Sequence, residues 1–117
     1  MNKRKVGSLK EDEAARFLIK NGLRIIEKNY LCRLGEIDII ASDADYLVFV
    51  EVKYKKMPGA GHPEEAVTAT KAGKISRTAA NYMLRKKYSP ETKVRFDVVA
   101  IEGSEIRWHK NAFEFMP

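Results

Sequence analysis

The chain has 117 residues, of which 44% are hydrophobic, so one globular domain with its own core is expected rather than a disordered protein. Its 22 lysines and arginines against 16 acidic residues give a net charge of +6, which favours a polyanionic partner such as nucleic acid, although solubility alone also explains a basic surface. No membrane-length apolar run or signal core is present and Cys32 stands alone, so we expect no membrane contact and a cytoplasmic location.

The first predicted element is a helix that begins near Ser8. Ser8 and Glu11 have the S-x-x-E spacing of a capping box, in which each side chain binds the backbone N–H of the other residue. Gly22 stands where a glycine that ends a helix is expected. Between Ser8 and Gly22, the apolar face of the predicted helix consists of Ala14, Ala15, Phe17 and Leu18.

Three strands are predicted next, over residues 23–30, 36–42 and 46–54. The third shows the clearest alternation, with valine at every second position from Val48 to Val52. The turn-like sequence Asp-Ala-Asp at 43–45 separates the second and third strands, which predicts a hairpin.

The second half of the chain predicts a loop over 56–63, a helix from about 68 to 87, and strands over 94–101 and 105–108. The core-facing side chains of this helix are Ile75, Ala79, Tyr82 and Met83. The fold class is therefore α/β, a mixed β-sheet flanked by helices in the order α-β-β-β-α-β-β, within a single domain over 1–117.

The hairpin predicts a cluster of charged residues on one face of the sheet. A two-residue turn at positions 44–45 places Asp38 opposite Glu51, and the same register places Glu36 opposite Lys53. Directly opposed residues share a face with Cβ atoms about 5 Å apart, as do residues two apart along one strand. This register is a hypothesis, because Ala-Asp is not a preferred hairpin turn. The opposite, apolar face would consist of Ile37, Ile39, Val48, Val50 and Val52.

These residue types suit metal-dependent phosphodiester hydrolysis. Two neighbouring carboxylates raise each other's pKa, and a cation between them relieves the repulsion. Hard oxygen ligands favour Mg²⁺ or Mn²⁺, which polarise a phosphate and lower the pKa of bound water. The alternative is a solvated Glu–Lys pair without function. The functional interpretation is favoured because Asp38 and Glu51 each interrupt an apolar strand, where a carboxylate is costly to keep.

Several segments together resemble a known family. Residues 34–40 read LGEIDII and residues 48–54 read VFVEVKY. They resemble the YraN family, small proteins distantly similar to archaeal Holliday-junction resolvases, and more broadly the PD-(D/E)XK nuclease superfamily. The resemblance covers nearly the whole chain. It also includes Gly7, the first-helix pattern Glu11, Ala14, Ala15 and Leu18, the middle segment 61–71 and the terminal segments 95–101 and 108–113.

The resemblance implies a restriction-endonuclease-like fold and a Mg²⁺- or Mn²⁺-dependent endonuclease. Asp38 and Glu51 would bind the metal with the Val52 carbonyl as a third ligand, and Lys53 would be the catalytic lysine. Glu11 would be the helix carboxylate that approaches the site, although capping by Ser8 explains its position equally well. The nucleic-acid partner would be DNA in preference to RNA, with branched DNA as one candidate. A homodimer is a further expectation, because a duplex has two strands.

Basic side chains on the second helix are candidates for phosphate contacts. Lys71, Lys74 and Arg77 are spaced three apart and share one helix face. They would form a nucleic-acid-binding surface, or alternatively a solvated face without a partner. Asp97, in an apolar strand, is interpreted as structural, as a partner of Arg95 or of a helix lysine, with support of the site as the alternative.

Two other functions compete with the nuclease. One is a nucleic-acid-binding module that keeps the fold without catalysis, and the other is a protein-interaction domain whose basic face serves solubility. The presence of Asp38, Glu51 and Lys53 together favours catalysis. The two nucleic-acid hypotheses require salt-sensitive binding, which the interaction domain does not.

Overall fold

The structure, a computed structural model, describes residues 3–55, 61–63 and 67–116, with side chains from residue 7 onward. Its elements occur in the predicted order, and the α/β class is confirmed. They are α1 (Lys3–Lys20), β1 (Arg24–Cys32), β2 (Gly35–Asp43), β3 (Tyr46–Lys55), α2 (Ala69–Arg85), β4 (Lys93–Glu102) and β5 (Glu105–Phe113). Most of the loop predicted over 56–63 lies outside the described residues.

The five strands form one mixed sheet in the order β1-β2-β3-β4-β5. Neighbouring strands are antiparallel except for β3 and β4, which are parallel. A parallel pair needs a crossover, and α2 lies in that connection. Neither helix in the described part of the chain has the length and apolar character needed to cross a membrane.

The helices cover opposite faces of the sheet with separate apolar clusters. On one face α1 contributes Ala14 and Leu18, which pack with Val48 and Val50 of β3. On the other face α2 contributes Ile75 and Tyr82, which pack with other strand residues. The predicted core residues of α2 are therefore confirmed for Ile75, Ala79 and Tyr82, which are buried, with Met83 packed at the margin.

The end of α1 follows the prediction and its beginning does not. Leu23 N–H donates to the Leu18 carbonyl and Gly22 N–H to the Ile19 carbonyl, both at 3.0 Å, with Gly22 at φ 97°. This is the Schellman arrangement of a helix-ending glycine. The predicted start near Ser8 is wrong, because the helix begins at Lys3. The lysines and arginine of 3–5 are good helix formers and extend it, so Ser8 and Glu11 lie inside the helix and form no capping box.

The predicted hairpin register is present from the turn to the middle of the strands. Asp43 pairs with Tyr46, and the same register continues to Ile39 opposite Val50. Ala44 has φ 54°, a left-handed value that lets two residues close the turn.

The predicted grouping of Ile37 with Ile39 is wrong. Ile39 packs on the α1 face, whereas Ile37 packs on the α2 face beside Tyr30, its partner on β1. Alternation changes at the same place on β1, where Asn29, between the partners of Ile39 and Ile37, has φ 57° and Tyr30 also packs on the α2 face.

Strand β5 is longer than the predicted 105–108. Its continuation depends on Asp97, whose carboxylate accepts the backbone N–H of Asn111 and the indole N–H of Trp108, both at 2.9 Å. These bonds cross a register shift between β4 and β5 and keep β5 attached to the sheet up to Phe113.

Candidate active site

The candidate site lies where β2 and β3 separate. Pairs that exchange two hydrogen bonds alternate along an antiparallel hairpin, so after Ile39 and Val50 the next such pair would be Ile37 and Val52. The ladder stops before that pair. The Val52 N–H instead donates to Oδ2 of Asp38 at 2.8 Å. The Asp38 carboxylate thus takes the place of a strand carbonyl, and only 8% of this residue is exposed.

The separation of β2 from β3 beyond Ile39 and Val50 forms a strand gap, and the Val52 carbonyl also points toward β2. The N–H and C=O of one strand residue point to the same side of the strand, and the N–H of Val52 reaches Asp38 on β2. Its carbonyl therefore points to the same side of β3, and its role as a metal ligand stays a prediction.

Glu51 and Lys53 flank Val52 and form an ion pair. Lys53 Nζ lies 3.5 Å from Glu51 Oε1, and both side chains are more than four-fifths buried. Burial raises the pKa of the Glu51 carboxyl to about 8, with a further contribution from the Asp38 carboxylate beside it. Lys53 offsets part of this effect. The ionised form of Glu51 is therefore disfavoured near neutral pH, and a cation bound beside it would favour that form.

Glu11 approaches Asp38 from α1. Burial, the Asp38 carboxylate and then Glu36 raise the pKa of Glu11 to about 7, whereas a hydrogen bond from Asn29 lowers it. A polar cleft of about 530 Å³ adjoins these groups on the α1 side. Its lining residues are Gly7, Ser8, Glu11, Asn29 and Glu36.

The predicted patch of four charged residues on one face is therefore only partly correct. Asp38, Glu51 and Lys53 come together, but Glu36 lies beside Glu11 on the α1 side, and Lys53 pairs with Glu51. The cause is the separation of β2 from β3 beyond Ile39, which removes Glu36 from its predicted place opposite Lys53.

The basic residues of α2 are exposed at every third position, as predicted. Lys71 lies in the first turn, where Thr68 caps the helix by accepting the Lys71 N–H at 3.3 Å. The positive charge of Lys53 lowers the pKa of Lys71 below its ordinary value. Lys74 packs its stem near Gly35, and Arg77 folds back toward Gly73.

The donor set at this site fits a hard divalent cation. No group of three or more His, Cys, Asp or Glu within the described ranges converges as a ready-made metal cage. Mg²⁺ does not need one, because it usually binds one or two carboxylates and keeps waters and phosphate oxygens as its other ligands. Asp38, Glu51 and the Val52 carbonyl offer such a set, and a cation bound between the carboxylates would favour the ionised form of Glu51, whose pKa is raised by burial.

Comparison with known proteins places the chain in a family. The sequence profile of the family described as "Uncharacterised protein family UPF0102" matches residues 10–101. The chain belongs to the UPF0102 family. A UPF0102 protein of Lachnoclostridium phytofermentans is 50% identical over 114 residues, covering 97% of each chain. UPF0102 proteins of Aliivibrio fischeri (45% identical, covering 95% of this chain and 93% of the relative) and Herminiimonas arsenicoxydans (43%, covering 93% and 86%) are also similar.

The matched region of this UPF0102 protein contains all the charged residues of the candidate site, from Glu11 to Arg77. It also contains Asn29, which the sequence analysis missed. The available signal was an asparagine among strand formers, since asparagine adopts positive φ more readily than most residues.

A second polar cluster was also missed. Glu102, at the end of β4, binds His62 at 3.0 Å and Arg107 at 2.9 Å. These three residues are far apart in sequence and have no local pattern, so only the fold brings them together. They connect the described segment 61–63 to the turn between β4 and β5.

Asp97 of this UPF0102 protein has a structural environment, in agreement with its interpretation. It is fully buried and accepts two hydrogen bonds from Arg95 at 2.9 Å. With the bonds from Trp108 and Asn111, its oxygens accept four donors, which offsets the cost of burying the charge.

Proposed function

We propose that this UPF0102 protein is a metal-dependent nuclease that hydrolyses phosphodiester bonds in nucleic acid. The observation that carries the proposal is the position of Asp38, which binds the Val52 amide where β2 and β3 separate and lies beside Glu51 and Lys53. Two neighbouring buried carboxylates beside a lysine are disfavoured in their ionised forms. A cation bound in the strand gap would favour those forms, which supports a metal site there.

In this proposal Asp38, Glu51 and the Val52 carbonyl hold Mg²⁺ or Mn²⁺. The metal would polarise the phosphate and lower the pKa of a bound water. Lys53, held by Glu51, would position that water or donate to the phosphate oxygen on which charge develops. Glu11, on the other side of Asp38, would accept a proton or a hydrogen bond from the water near neutral pH, in keeping with its raised pKa of about 7.

The resemblance to the YraN family and the PD-(D/E)XK superfamily supports this assignment, because the matching residues are those gathered at the gap. The net charge of +6 and the exposed Lys71, Lys74 and Arg77 support a nucleic-acid substrate. We propose DNA in preference to RNA, branched DNA as one candidate form, and a homodimer as the assembly that could act on both strands.

The test is cleavage of labelled branched, single-stranded and duplex DNA and RNA in Mg²⁺, Mn²⁺ or EDTA. Wild-type protein should cut at least one substrate with metal and none in EDTA. Asp38→Asn and Glu51→Gln should each lower the rate by at least a hundredfold, since each removes a charged metal ligand.

Asp45→Asn and Glu105→Gln are matched controls. They make the same chemical changes at exposed ion pairs with Lys93 and Arg107, away from the strand gap, and should cut as wild type does. Cutting that survives in EDTA, or that Asp38→Asn leaves unchanged, would contradict the proposal. Salt-sensitive binding without cutting would instead support a non-catalytic nucleic-acid-binding module.

A further inference from the structure

An apolar groove of about 520 Å³ lies between the second half of α2 and the strands β4 and β5. Ala79, Ala80 and Met83 line its helix side, and Phe96 and Phe113 line its strand side. The two alanines are small, so they leave space between the helix and the strands. The lining therefore consists largely of apolar side chains that this chain does not itself cover.

Two large apolar side chains project at the rims of this groove. Leu84 is 80% exposed, the largest fraction among the exposed large hydrophobic side chains of the described residues, and Phe115 is 51% exposed. Both also line the groove. A single exposed leucine is common and needs no explanation, whereas projecting side chains beside an apolar groove form a continuous patch. Patches of this kind mark contacts between proteins.

The two rims carry opposite charges. Lys86 and Lys87 directly follow Leu84 at the end of α2 and are exposed, with Glu91 further along the loop. On the other rim, the exposed Glu114 lines the groove between Phe113 and Phe115. The basic rim thus carries one of the projecting side chains, and the acidic rim lies on the other side of the apolar floor.

Such a surface is complementary to itself. In a two-fold dimer the same patch is used by both copies, so a residue that contacts a second residue of the partner is itself repeated across the axis. This requires one surface that holds a projecting side chain with a groove, and a positive rim with a negative rim. The surface at the end of α2 has all four parts, whereas a different partner would need to match only one sign of charge.

We infer that this groove binds a second copy of the chain, with Leu84 of each copy in the groove of the other and Lys86 facing Glu114 across the contact. The inference locates the homodimer of the proposed function. The dimer leaves the phosphate-binding face available, because Lys71 precedes Leu84 by thirteen residues, or about 20 Å along the helix.

The first test is the mass of the protein in solution, measured by sedimentation velocity across the micromolar range in EDTA without nucleic acid. Wild-type protein should reach twice the chain mass of 13.4 kDa as its concentration rises. Leu84→Ser should raise the dissociation constant of the dimer by about a hundredfold, because each dimer loses two buried leucines. Ile19→Ser is the matched control, since Ile19 is also exposed, at 56%, but lies on α1. It should leave the dimer unchanged.

The second test reverses the charges of the two rims. Lys86→Glu and Glu114→Lys should each weaken the dimer by about fivefold, because each places like charges opposite each other twice. The two substitutions together in one chain should restore it. General repulsion between copies predicts otherwise, since Lys86→Glu lowers the net charge of +6 by two units and Glu114→Lys raises it by two. Repulsion alone would tighten the first variant and weaken the second.

Three outcomes would overturn the inference. They are a wild-type protein that stays monomeric, a dimer that Leu84→Ser leaves intact, and a double charge reversal that is as weak as the single ones. A monomer whose groove takes up an apolar dye would assign the groove to another ligand. The masses are measured without substrate, so a monomer that cuts nucleic acid would remove the dimer and leave the nuclease standing. A dimer that cuts nothing would do the reverse.

Discussion

The backbone N–H of Val52 donates a 2.8 Å hydrogen bond to the Asp38 carboxylate at the point where the β2–β3 ladder stops. Asp38 therefore satisfies a strand amide that the neighbouring strand no longer reaches. Burial raises the pKa of Glu11 and of Glu51, and the neighbouring Asp38 carboxylate raises both further. Asp38 thus completes the hydrogen bonding of β3 and also disfavours the ionised forms of both glutamates.

Asp38→Asn should lower the pKa of both neighbouring acids. The asparagine carbonyl can still accept the Val52 N–H, so the fold should survive, but the negative charge is gone. The pKa of Glu51 should fall from about 8 and that of Glu11 from about 7, each remaining above 4.5 because burial is the largest cause of both shifts. Titration of the side-chain carboxyl carbons by ¹³C NMR, without metal, measures both values.

Glu36→Gln is the control for this titration. Glu36 contributes to the raised pKa of Glu11 and is not among the causes for Glu51. It should therefore lower the pKa of Glu11 alone. A Glu51 pKa that Asp38→Asn leaves at about 8 would show that Asp38 and Glu51 do not interact.

Metal-free protein should lose stability as pH rises from about 5 to 8.5. Glu11 and Glu51 have ordinary pKa values of 4.5 and folded values of about 7 and 8, so over this range the folded state binds more protons than the unfolded state. The free energy of unfolding then falls with pH, by on the order of a few kcal/mol. Urea unfolding in EDTA at several pH values measures the trend.

The double substitution Glu11→Gln and Glu51→Gln should flatten this pH dependence. Three other acids, Asp12, Asp45 and Glu102, have lowered pKa values because of their basic partners. Their contributions are lost only as pH falls below the ordinary carboxyl range, so they leave the window above pH 5 unaffected. A stability that rises between pH 5 and 8.5 would mean that the two glutamates are ionised throughout.

Metal binding should release protons and tighten with pH. A cation at the gap needs Glu51 ionised, and with a pKa of about 8 only a small fraction is ionised at pH 6.5. The affinity for Mg²⁺ or Mn²⁺ should therefore rise roughly twentyfold between pH 6.5 and 8.5. Calorimetry in two buffers of different ionisation enthalpy measures affinity and proton release together. Binding in Asp38→Asn as tight as in wild type would place the metal elsewhere.

The sequence predicted the parts of this fold that depend on local patterns. The hairpin register followed from the turn at 43–45 and the alternation of valines, and Ala44 adopts the positive φ that the turn needs. From that register we predicted that Asp38 and Glu51 lie close together. The register failed beyond Ile39, where β2 separates from β3 and Ile37 packs on the α2 face. Asn29 of β1 has positive φ beside this point, and a single residue of this kind leaves little trace in a pattern of alternation.

Local sequence patterns could not predict contacts between elements that are far apart in the chain. The proximity of Lys53 and Lys71 depends on how α2 lies across the sheet, and the ion pairs of Glu102 depend on where β4 ends. The helix start was misplaced for a different reason. A capping-box spacing was present at Ser8, but the good helix formers before it extend the helix past that signal.

Gly35→Ala should destabilise the protein through the contact of β2 with α2. Gly35 has φ 154°, which L-residues rarely adopt, and an added Cβ would lie 2.9 Å from Oγ1 of Thr78. Strain and overlap together should lower the free energy of unfolding by about 3 kcal/mol. Gly103→Ala is the matched control, because Gly103 has φ 59° with nothing within 4 Å of its Cβ position. It should cost only about 1 kcal/mol.

A double-mutant cycle separates the two parts of the Gly35 effect. Thr78→Ala removes the Oγ1 atom that the new Cβ would meet, along with the hydrogen bond that this hydroxyl donates to the Lys74 carbonyl at 2.8 Å. The loss caused by Gly35→Ala should therefore be smaller in the Thr78→Ala background than in wild type. Urea unfolding of the four proteins measures the coupling. Equal losses in both backgrounds would assign the whole effect to the backbone of Gly35 and none to its packing against α2.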